Sequence, residues 1–142
     1  MNRRLLPCVA VCLFALAPAA RAEDPKPPSD AQIKALLIGK WVQEIPGQGG
    51  TVGKGYTTYE KDGTFVGKAV VTFNGQTLFT VNLSGTWKVT DGTIVETVLQ
   101  SDDPQGQAKG RVSKDKVLAI SKKGLKVRSE EGKESELSRV AD

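Results

Sequence analysis

The stretch Leu36-Leu37-Ile38-Gly39-Lys40-Trp41 separates two different hydrophobic patterns in this sequence. Before it, Ile33, Leu36 and Leu37 stand at positions i, i+3 and i+4, which predicts a short helix with one apolar face. Gly39 suits the position just after a helix, where a left-handed backbone is common. After it, apolar and polar residues alternate in short runs to the end of the chain, which is typical of β-strands.

Residues 1–22 have the pattern of a secretory signal peptide. Arg3 and Arg4 come first, an apolar run follows at 5–17, and Ala20-Arg21-Ala22 forms a small-residue cleavage site. The apolar run is shorter than the roughly 20 residues that a membrane span needs, so we expect no transmembrane segment. The pattern instead predicts export by a cleaved signal peptide, to the periplasm or the medium.

A Pro-rich spacer is expected at 23–29, and one folded domain at 30–142. Ser29 or Asp30 can cap the short helix, because the side-chain oxygens of these residue types accept hydrogen bonds from the free N–H groups of a first helical turn. A domain of about 120 residues is long enough to bury a sufficient core without disulfides.

The composition of the chain after residue 22 excludes several functions. Residues 1–22 contain both cysteines, the single methionine and three of the 20 basic residues, which leaves 17 basic and 16 acidic residues and a net charge of +1. This near balance gives no reason to expect a nucleic-acid partner. Without His, Cys or Met, the remaining chain lacks the usual general base, thiol nucleophile and metal ligands. We therefore expect no enzymatic activity, no cofactor and no metal site.

Nine short strands are predicted after the helix. Asp62-Gly63, Asn74-Gly75 and Asp91-Gly92 lie between apolar runs and favour tight hairpins of type I′, in which both central residues have positive φ. Ser84-Gly85 continues the alternation of the residues before it, so we predict a bulge there within one long strand. The predicted strands are Trp41–Ile45, Tyr56–Lys61, Thr64–Phe73, Gln76–Ser84, Thr93–Gln100, Gln107–Ser113, Val117–Ser121, Leu125–Arg128 and Lys133–Val140.

This order of elements predicts the all-β fold class. The expected architecture is a single antiparallel up-and-down meander barrel of about 8–10 strands, preceded by one short N-terminal helix. Closure of the barrel would pair the first strand with the last and remove the exposed edges of the sheet. It would also bring Trp41 beside the residues near Val140, with the indole plugging the barrel end beneath the helix.

Two tryptophan motifs resemble those of lipocalin-like proteins. Gly39-Lys40-Trp41 opens the first strand and is similar to the G-x-W signature of lipocalins, and Gly85-Thr86-Trp87 is a second copy. Together with Tyr59 to Phe65, these motifs resemble small exported bacterial families of lipocalin-like, calycin-type barrels. In lipocalins a basic residue near the end of the last strand packs over the first Trp, and Arg139 stands at the matching position. The resemblance implies small-molecule binding in the barrel interior and barrel closure by Gly39, Trp41, Trp87 and Arg139.

The predicted interior supplies candidate residues for such a ligand. Ligand pockets of this kind have apolar walls with few polar anchors, and Glu96 is one possible anchor. The candidate ligand-binding residues are Phe65, Ala69, Val71, Phe79, Val81, Leu83 and Glu96. The expected function is non-catalytic binding of a small apolar or amphipathic ligand. The alternative is a structural or protein-interaction barrel whose interior is filled by its own side chains.

Three other patterns have simpler explanations than a functional site. The glycine-rich segment 47–55 lacks the spacing and the following helix of a phosphate loop, so we expect a flexible loop at the barrel mouth. Ser113-Lys114-Asp115-Lys116 matches the S-x-x-K motif, but it covers a predicted hairpin turn rather than a helix. Basic residues concentrate at 109–128, which predicts a solvated outer face, with binding to an anionic surface as the alternative.

Overall fold

A computed structural model of the chain describes residues 26–103 and 109–141. The signal-peptide interpretation of residues 1–22 lies outside the described residues. Within them, one helix precedes eight strands. The elements are α1 (Asp30–Leu37), β1 (Gly39–Pro46), β2 (Thr51–Tyr59), β3 (Thr64–Phe73), β4 (Gln76–Thr90), β5 (Thr93–Ser101), β6 (Val112–Ile120), β7 (Gly124–Ser129) and β8 (Glu134–Arg139).

The eight strands form one closed antiparallel barrel. Each strand pairs with the next strand along the chain, and β1 also pairs with β8. The pairing that closes the barrel is short, since it places only Trp41 opposite Arg139 and Val42 opposite Ser138. This architecture confirms the predicted all-β meander barrel with one short N-terminal helix. The polar segment 133–140, predicted as the last strand, does contribute the strand β8.

Helix α1 begins at a capping box. The Ser29 hydroxyl accepts a hydrogen bond from the backbone N–H of Gln32 at 3.3 Å, and the Gln32 side chain accepts one from the N–H of Ser29 at 2.9 Å. These two bonds satisfy N–H groups that a helix start leaves without partners. The apolar face predicted from the sequence rests on the barrel end, where Ile33 and Leu37 are fully buried.

Asp30, the other predicted cap, instead fixes α1 to the barrel. Its carboxylate accepts hydrogen bonds from the backbone N–H groups of Asp91 and Gly92, at 3.0 and 2.7 Å. These two residues form the turn between β4 and β5. The helix is therefore attached to the barrel by a charge-assisted contact as well as by its buried apolar face.

The hairpin turns follow the predicted chemistry with one exception. Asn74 and Gly75 have φ values of 48° and 79°, and Asp91 and Gly92 have values of 51° and 67°. Both turns thus have the positive φ at two central residues that type I′ requires. At the third site only Gly63 has positive φ, because the Asp62 carboxylate accepts a bond from the N–H of Thr64 at 2.9 Å and holds a wider turn.

Strand β6 corrects the prediction of two separate strands. The sequence predicted a connection at Lys114-Asp115, but these residues lie inside β6 and pair with Val95 and Ile94 of β5. Neither residue has the positive φ of a tight turn, so the extended backbone continues through them. The prediction was wrong because polar residues that alternate along one strand resemble a polar turn. The S-x-x-K motif therefore lies on a strand.

The glycine-rich segment is also more ordered than predicted. Strand β2 begins at Thr51, so the loop contains only residues 47–50 and the prediction of a loop through Gly55 was wrong. A Cβ atom on Gly53 would lie 2.9 Å from the Cβ of Ile45 on the neighbouring strand. Glycine at this position therefore makes room for a large apolar side chain on β1, which the sequence pattern did not reveal.

The predicted bulge in the longest strand is present. The pairing of β4 with β5 shifts register between Ser84 and Gly85, within a strand of 15 residues. A bulge bends a strand and increases its twist. Strand β4 is thus long and bent, and it forms part of the barrel wall in both the packed half and the open half.

The apolar core fills the half of the barrel nearest α1, which we call the closed end. This end also carries the connections β2–β3, β4–β5 and β6–β7, whereas the other four connections lie at the open end. Trp41 and Phe65 are the largest fully buried side chains. The core consists of Ile33, Leu37, Trp41, Tyr59, Phe65, Trp87, Val89, Ile94, Val98, Val117, Leu125 and Val127.

Three of the four basic residues of β6 and β7, which lie on the outer face, pair with acidic side chains. Lys114 Nζ is 3.2 Å from a carboxylate oxygen of Glu130. Lys126 and Arg128 both contact Glu134 of β8, at 3.0 and 2.7 Å. These pairs are exposed and each contributes little to stability. They do neutralise part of the basic surface, which favours the solvated-face interpretation over an anionic partner.

Candidate functional site

The open half of the barrel contains an interior cavity of about 410 Å³. Inward-facing residues of all eight strands form its wall, and most of that wall is apolar. The apolar side chains that border it are Ile45, Phe65, Ala69, Phe79, Val81, Leu83, Ile94, Val98, Leu125, Val127 and Leu137. A space of this size is in the range that holds a small organic molecule.

The structure brings six of the seven candidate ligand-binding residues to this cavity. Val71 is the exception, since it pairs with Phe79 beside a register shift near the end of the β3–β4 hairpin and does not border the cavity. Phe79 is 53% exposed and therefore stands at the rim of the cavity. The six residues at the cavity are Phe65, Ala69, Phe79, Val81, Leu83 and Glu96.

Inward-facing glycines help to shape the cavity wall. A Cβ atom on Gly67 would lie 2.7 Å from the Cδ1 atom of Leu83. One on Gly55 would lie 3.4 Å from the Cδ1 atom of Ile45. Because glycine has no side chain, the large side chains of Leu83 and Ile45 on the neighbouring strands can extend over these positions. They form part of the apolar cavity wall.

A group of polar side chains interrupts the apolar wall deep in the cavity. The Glu96 carboxylate accepts a hydrogen bond from the Tyr59 hydroxyl and a longer one, at 3.4 Å, from the Ser113 hydroxyl. Glu96 of β5 lies opposite Ser113 of β6, and Ile94 lies opposite Asp115. Asp115 is thus the diagonal neighbour of Glu96 on the same face of the sheet. We call Tyr59, Glu96, Ser113 and Asp115 the polar centre.

Burial disfavours the charged forms of the polar centre. It raises the pKa of the Glu96 carboxyl, although the Tyr59 hydrogen bond partly offsets the effect. It also raises the pKa of the Asp115 carboxyl, with a further contribution from the negative charge of Glu130. The pKa of Tyr59 lies well above its usual value, first through burial and then through the nearby charge of Glu96.

Sequence reasoning found only one member of the polar centre, Glu96. Tyr59 ends the second strand and looked like part of the lipocalin-like motif, while Ser113 and Asp115 were assigned to a strand end and a turn. The available signal was alternation, because Ser113, Asp115 and Val117 share one parity and Val117 is a buried core residue. Following that parity through the polar run would have placed both side chains inside the barrel.

The outer face of the barrel carries a second, wider depression. A groove of about 720 Å³ crosses β1 to β5 and is lined by Lys40, Tyr56, Val66, Asn82 and Asp102, among others. Although it is the larger space, it lies on the solvated side of the sheet, and Val66 in its lining is 54% exposed. The interior cavity is the better candidate site because all eight strands of the barrel contribute to its wall.

Neither a metal site nor a membrane helix is found in the part of the chain that the structure describes. No three or more His, Cys, Asp or Glu side chains come together there in a way that could hold a metal ion. The described helix is too short and too polar to cross a membrane.

Comparison with known proteins identifies the fold. No protein-family model matches the sequence, and no curated protein matches it. A crystal structure of a lipocalin-like protein from Bacteroides uniformis does match, with a TM-score of 0.51 and 20% sequence identity over 74% of this chain and 99% of that one. The fold is lipocalin-like. This result confirms the resemblance that the two G-x-W motifs indicated.

The closed end of this lipocalin-like barrel contains the residues of the first motif. The Arg139 guanidinium lies 4.2 Å from the centre of the Trp41 ring and donates hydrogen bonds to the carbonyl oxygens of Leu36 and Ile38. Trp41 is fully buried, and its ring N–H donates to the carbonyl oxygen of Leu37 at 2.7 Å. Gly39, with a φ of 118°, leaves space that a Cβ atom would take from the guanidinium.

Trp87 occupies a separate place in the lipocalin-like core. Its ring N–H donates to the carbonyl oxygen of Glu60, which lies in the turn between β2 and β3, at 3.1 Å. Its ring meets that of Tyr59 edge to face, with the centroids 5.6 Å apart. Trp87 thus connects the packed closed end to a member of the polar centre.

Proposed function

We propose that this protein is an exported, non-catalytic lipocalin-like protein that binds a small apolar or amphipathic ligand in the barrel interior. The observation that carries the proposal is the 410 Å³ cavity in the open half of a barrel whose other half is packed. Removing an apolar molecule from water into such a space is favourable in proportion to the apolar area buried. Export rests on the signal-peptide pattern at 1–22.

Exposed apolar side chains are concentrated in the open half of the barrel, and two of them, Ile45 and Phe79, border the cavity. Of the eight large apolar side chains that are exposed among the described residues, all but Val66 lie in the open half of the barrel. Exposed apolar groups that gather in one region commonly mark a binding site. The seven are Ile45, Val52, Phe73, Leu78, Phe79, Leu99 and Val112.

The alternative of a filled structural barrel fits this interior less well. Large side chains such as Trp41 and Phe65 do fill the closed end. Toward the open end several inward positions hold small side chains, as at Ala69 and Val81. These small residues leave space between them, as a ligand site requires.

Binding of the neutral fluorescent compound N-phenyl-1-naphthylamine tests the proposal. Its emission should rise on entering the cavity, and Val81→Arg should weaken the binding strongly, because the substitution places a long charged side chain inside the barrel. Val66→Arg is the matched control, since the same change on the exposed outer face should leave binding unaltered. Circular dichroism and thermal unfolding show whether each variant is folded.

Two results would overturn the proposal. Folded wild-type protein that binds none of the compound would favour the filled-barrel alternative. Equal loss of binding in Val81→Arg and Val66→Arg would place the binding site outside the cavity.

A further inference from the structure

The polar centre of the cavity contains more negative charge than its surroundings balance. Glu96 is held in position by Tyr59 and Ser113, so its carboxylate cannot turn away from the interior. Asp115 is partly buried, and its carboxylate makes no hydrogen bond or ion pair with any other residue that the structure describes. Two carboxylates thus face the same deep part of the cavity, one positioned and one without a partner.

Basic side chains do not neutralise this pair. Lys68 and Arg111 also border the cavity, but both residues are exposed. Arg111 comes just before β6 and two residues before Ser113, farther toward the open end than the polar centre. Lys114 and Lys116 alternate with Ser113 and Asp115 and are exposed on the outer face. The deep end of the cavity is therefore acidic, while its walls are apolar.

We propose that the cavity selects ligands with a protonated amine at one end and an apolar body. The ammonium group would lie between Glu96 and Asp115, and the apolar body would extend along Phe79, Val81 and Leu83 toward the rim. This inference rests on the proposed function and specifies its ligand class.

The preference follows from the cost of leaving carboxylates unpaired when an apolar ligand displaces water from the cavity. An ammonium group has three donors and one positive charge, so it can pair with both carboxylates through short charge-assisted hydrogen bonds. A neutral head group leaves the charges uncompensated, and an anionic head group adds repulsion. A site built around buried polar groups discriminates strongly against ligands that fail to satisfy them.

Competition among decylamine, decanol and decanoate against N-phenyl-1-naphthylamine tests the inference at neutral pH. The three compounds share one alkyl chain and differ in the charge of the head group. We expect decylamine to displace the fluorescent compound at a concentration lower by at least about tenfold than decanol, because hydrogen bonds to charged groups contribute about 1.5–3 kcal/mol. Decanoate should be the weakest of the three.

Two cavity variants assign the preference to the polar centre. Glu96→Gln and Asp115→Asn should each weaken decylamine binding by about tenfold without weakening decanol binding. Asp115→Asn removes a charge that has no hydrogen-bond partner among the described residues, so it leaves the Tyr59–Glu96 contact in place. Glu44→Gln, on the exposed outer side of β1, makes the same chemical change and should affect neither compound.

The outcomes separate this inference from the proposed function. If decanol or decanoate binds as tightly as decylamine, or if neither cavity variant changes the preference, the amine inference fails while ligand binding stands. If the wild-type protein binds neither the fluorescent compound nor any of the three amphiphiles, both proposals fail.

Discussion

At the scale of single residues, Arg139 holds the closed end of the barrel through several contacts. Its guanidinium covers the Trp41 ring, bonds to two carbonyl oxygens at the end of α1, and donates through Nε to the carbonyl oxygen of Lys122 at 3.2 Å. Strand β1, strand β8, the helix and the β6–β7 connection therefore meet at one side chain. The short pairing between β1 and β8 depends on this cluster, since it contains only two residue pairs.

Replacing either member of the Trp41–Arg139 pair should destabilise the protein, by different amounts. Trp41→Ala should lower the free energy of unfolding by about 3–5 kcal/mol, because it leaves a large cavity. Arg139→Ala should lower it by about 1.5–3 kcal/mol, because it removes hydrogen bonds from a charged donor. Urea unfolding measures both, and the double variant should lose less than the sum because the two side chains share contacts.

Lys122→Ala is the control for this pair, because Lys122 contributes only a backbone carbonyl to the Arg139 contact. It should leave the stability nearly unchanged. Strictly additive effects of Trp41→Ala and Arg139→Ala would contradict the proposed coupling.

At the scale of elements, strand β4 depends on one glycine at its bulge. A Cβ atom on Gly85 would lie 1.9 Å from the carbonyl oxygen of Thr97 and 2.9 Å from the Cε1 atom of Phe65. The first neighbour is backbone of the paired strand β5, so it cannot move without disturbing the sheet. Steric contacts at the β4–β5 pairing therefore explain why the second G-x-W motif has glycine at this position.

Gly85→Ala should destabilise the barrel even though it adds only a methyl group. We expect a loss of about 1–3 kcal/mol or more in the free energy of unfolding, as for other insertions into closely packed sites. Gly124→Ala is the matched control, since its added Cβ would meet no atom closer than 3.9 Å and Gly124 does not have positive φ. That change should be neutral or slightly stabilising. Equal effects of the two substitutions would refute the steric explanation.

At the scale of the whole molecule, interior and surface carboxyl groups respond to pH in opposite directions. Burial raises the pKa of Glu96 and Asp115 in the folded state. Hydrogen bonds lower the pKa of surface groups, from Thr64 to Asp62, from Asn82 to Asp102 and from Arg128 to Glu134. The interior groups therefore reduce stability as pH rises, and the surface groups reduce it as pH falls.

The double variant Glu96→Gln, Asp115→Asn should separate these two contributions. With raised pKa values, the folded protein binds more protons than the unfolded chain, so wild-type stability falls as pH rises from the ordinary carboxyl range through the raised values. The variant lacks this loss, and its stability relative to wild type should increase from acidic to neutral pH. Urea unfolding at several pH values measures the difference in stability between the variant and the wild type. The surface carboxyl groups are the same in both proteins, so their contributions cancel in this difference. A difference that stays constant or decreases with pH would contradict the prediction.

Local features of the sequence were sufficient to predict most of the fold. The i, i+3, i+4 pattern of Ile33, Leu36 and Leu37 gave the helix, and Asn74-Gly75 and Asp91-Gly92 gave two hairpins, because positive φ is a local preference. The same reasoning failed at Lys114-Asp115 and at Gly53, where polar or flexible residues lie within strands. In both places pairing with neighbouring strands outweighs the local preference.

The cavity and its polar centre were decided only by the tertiary structure. Tyr59, Glu96 and Ser113 lie on three different strands, and their contacts depend on the register of pairing around the barrel. The cavity volume likewise depends on how many inward side chains eight strands bring together and on which of them are small. Alternation along one strand determines which face a residue occupies, but the distance across the barrel is set by all the strands at once, because closure couples their registers.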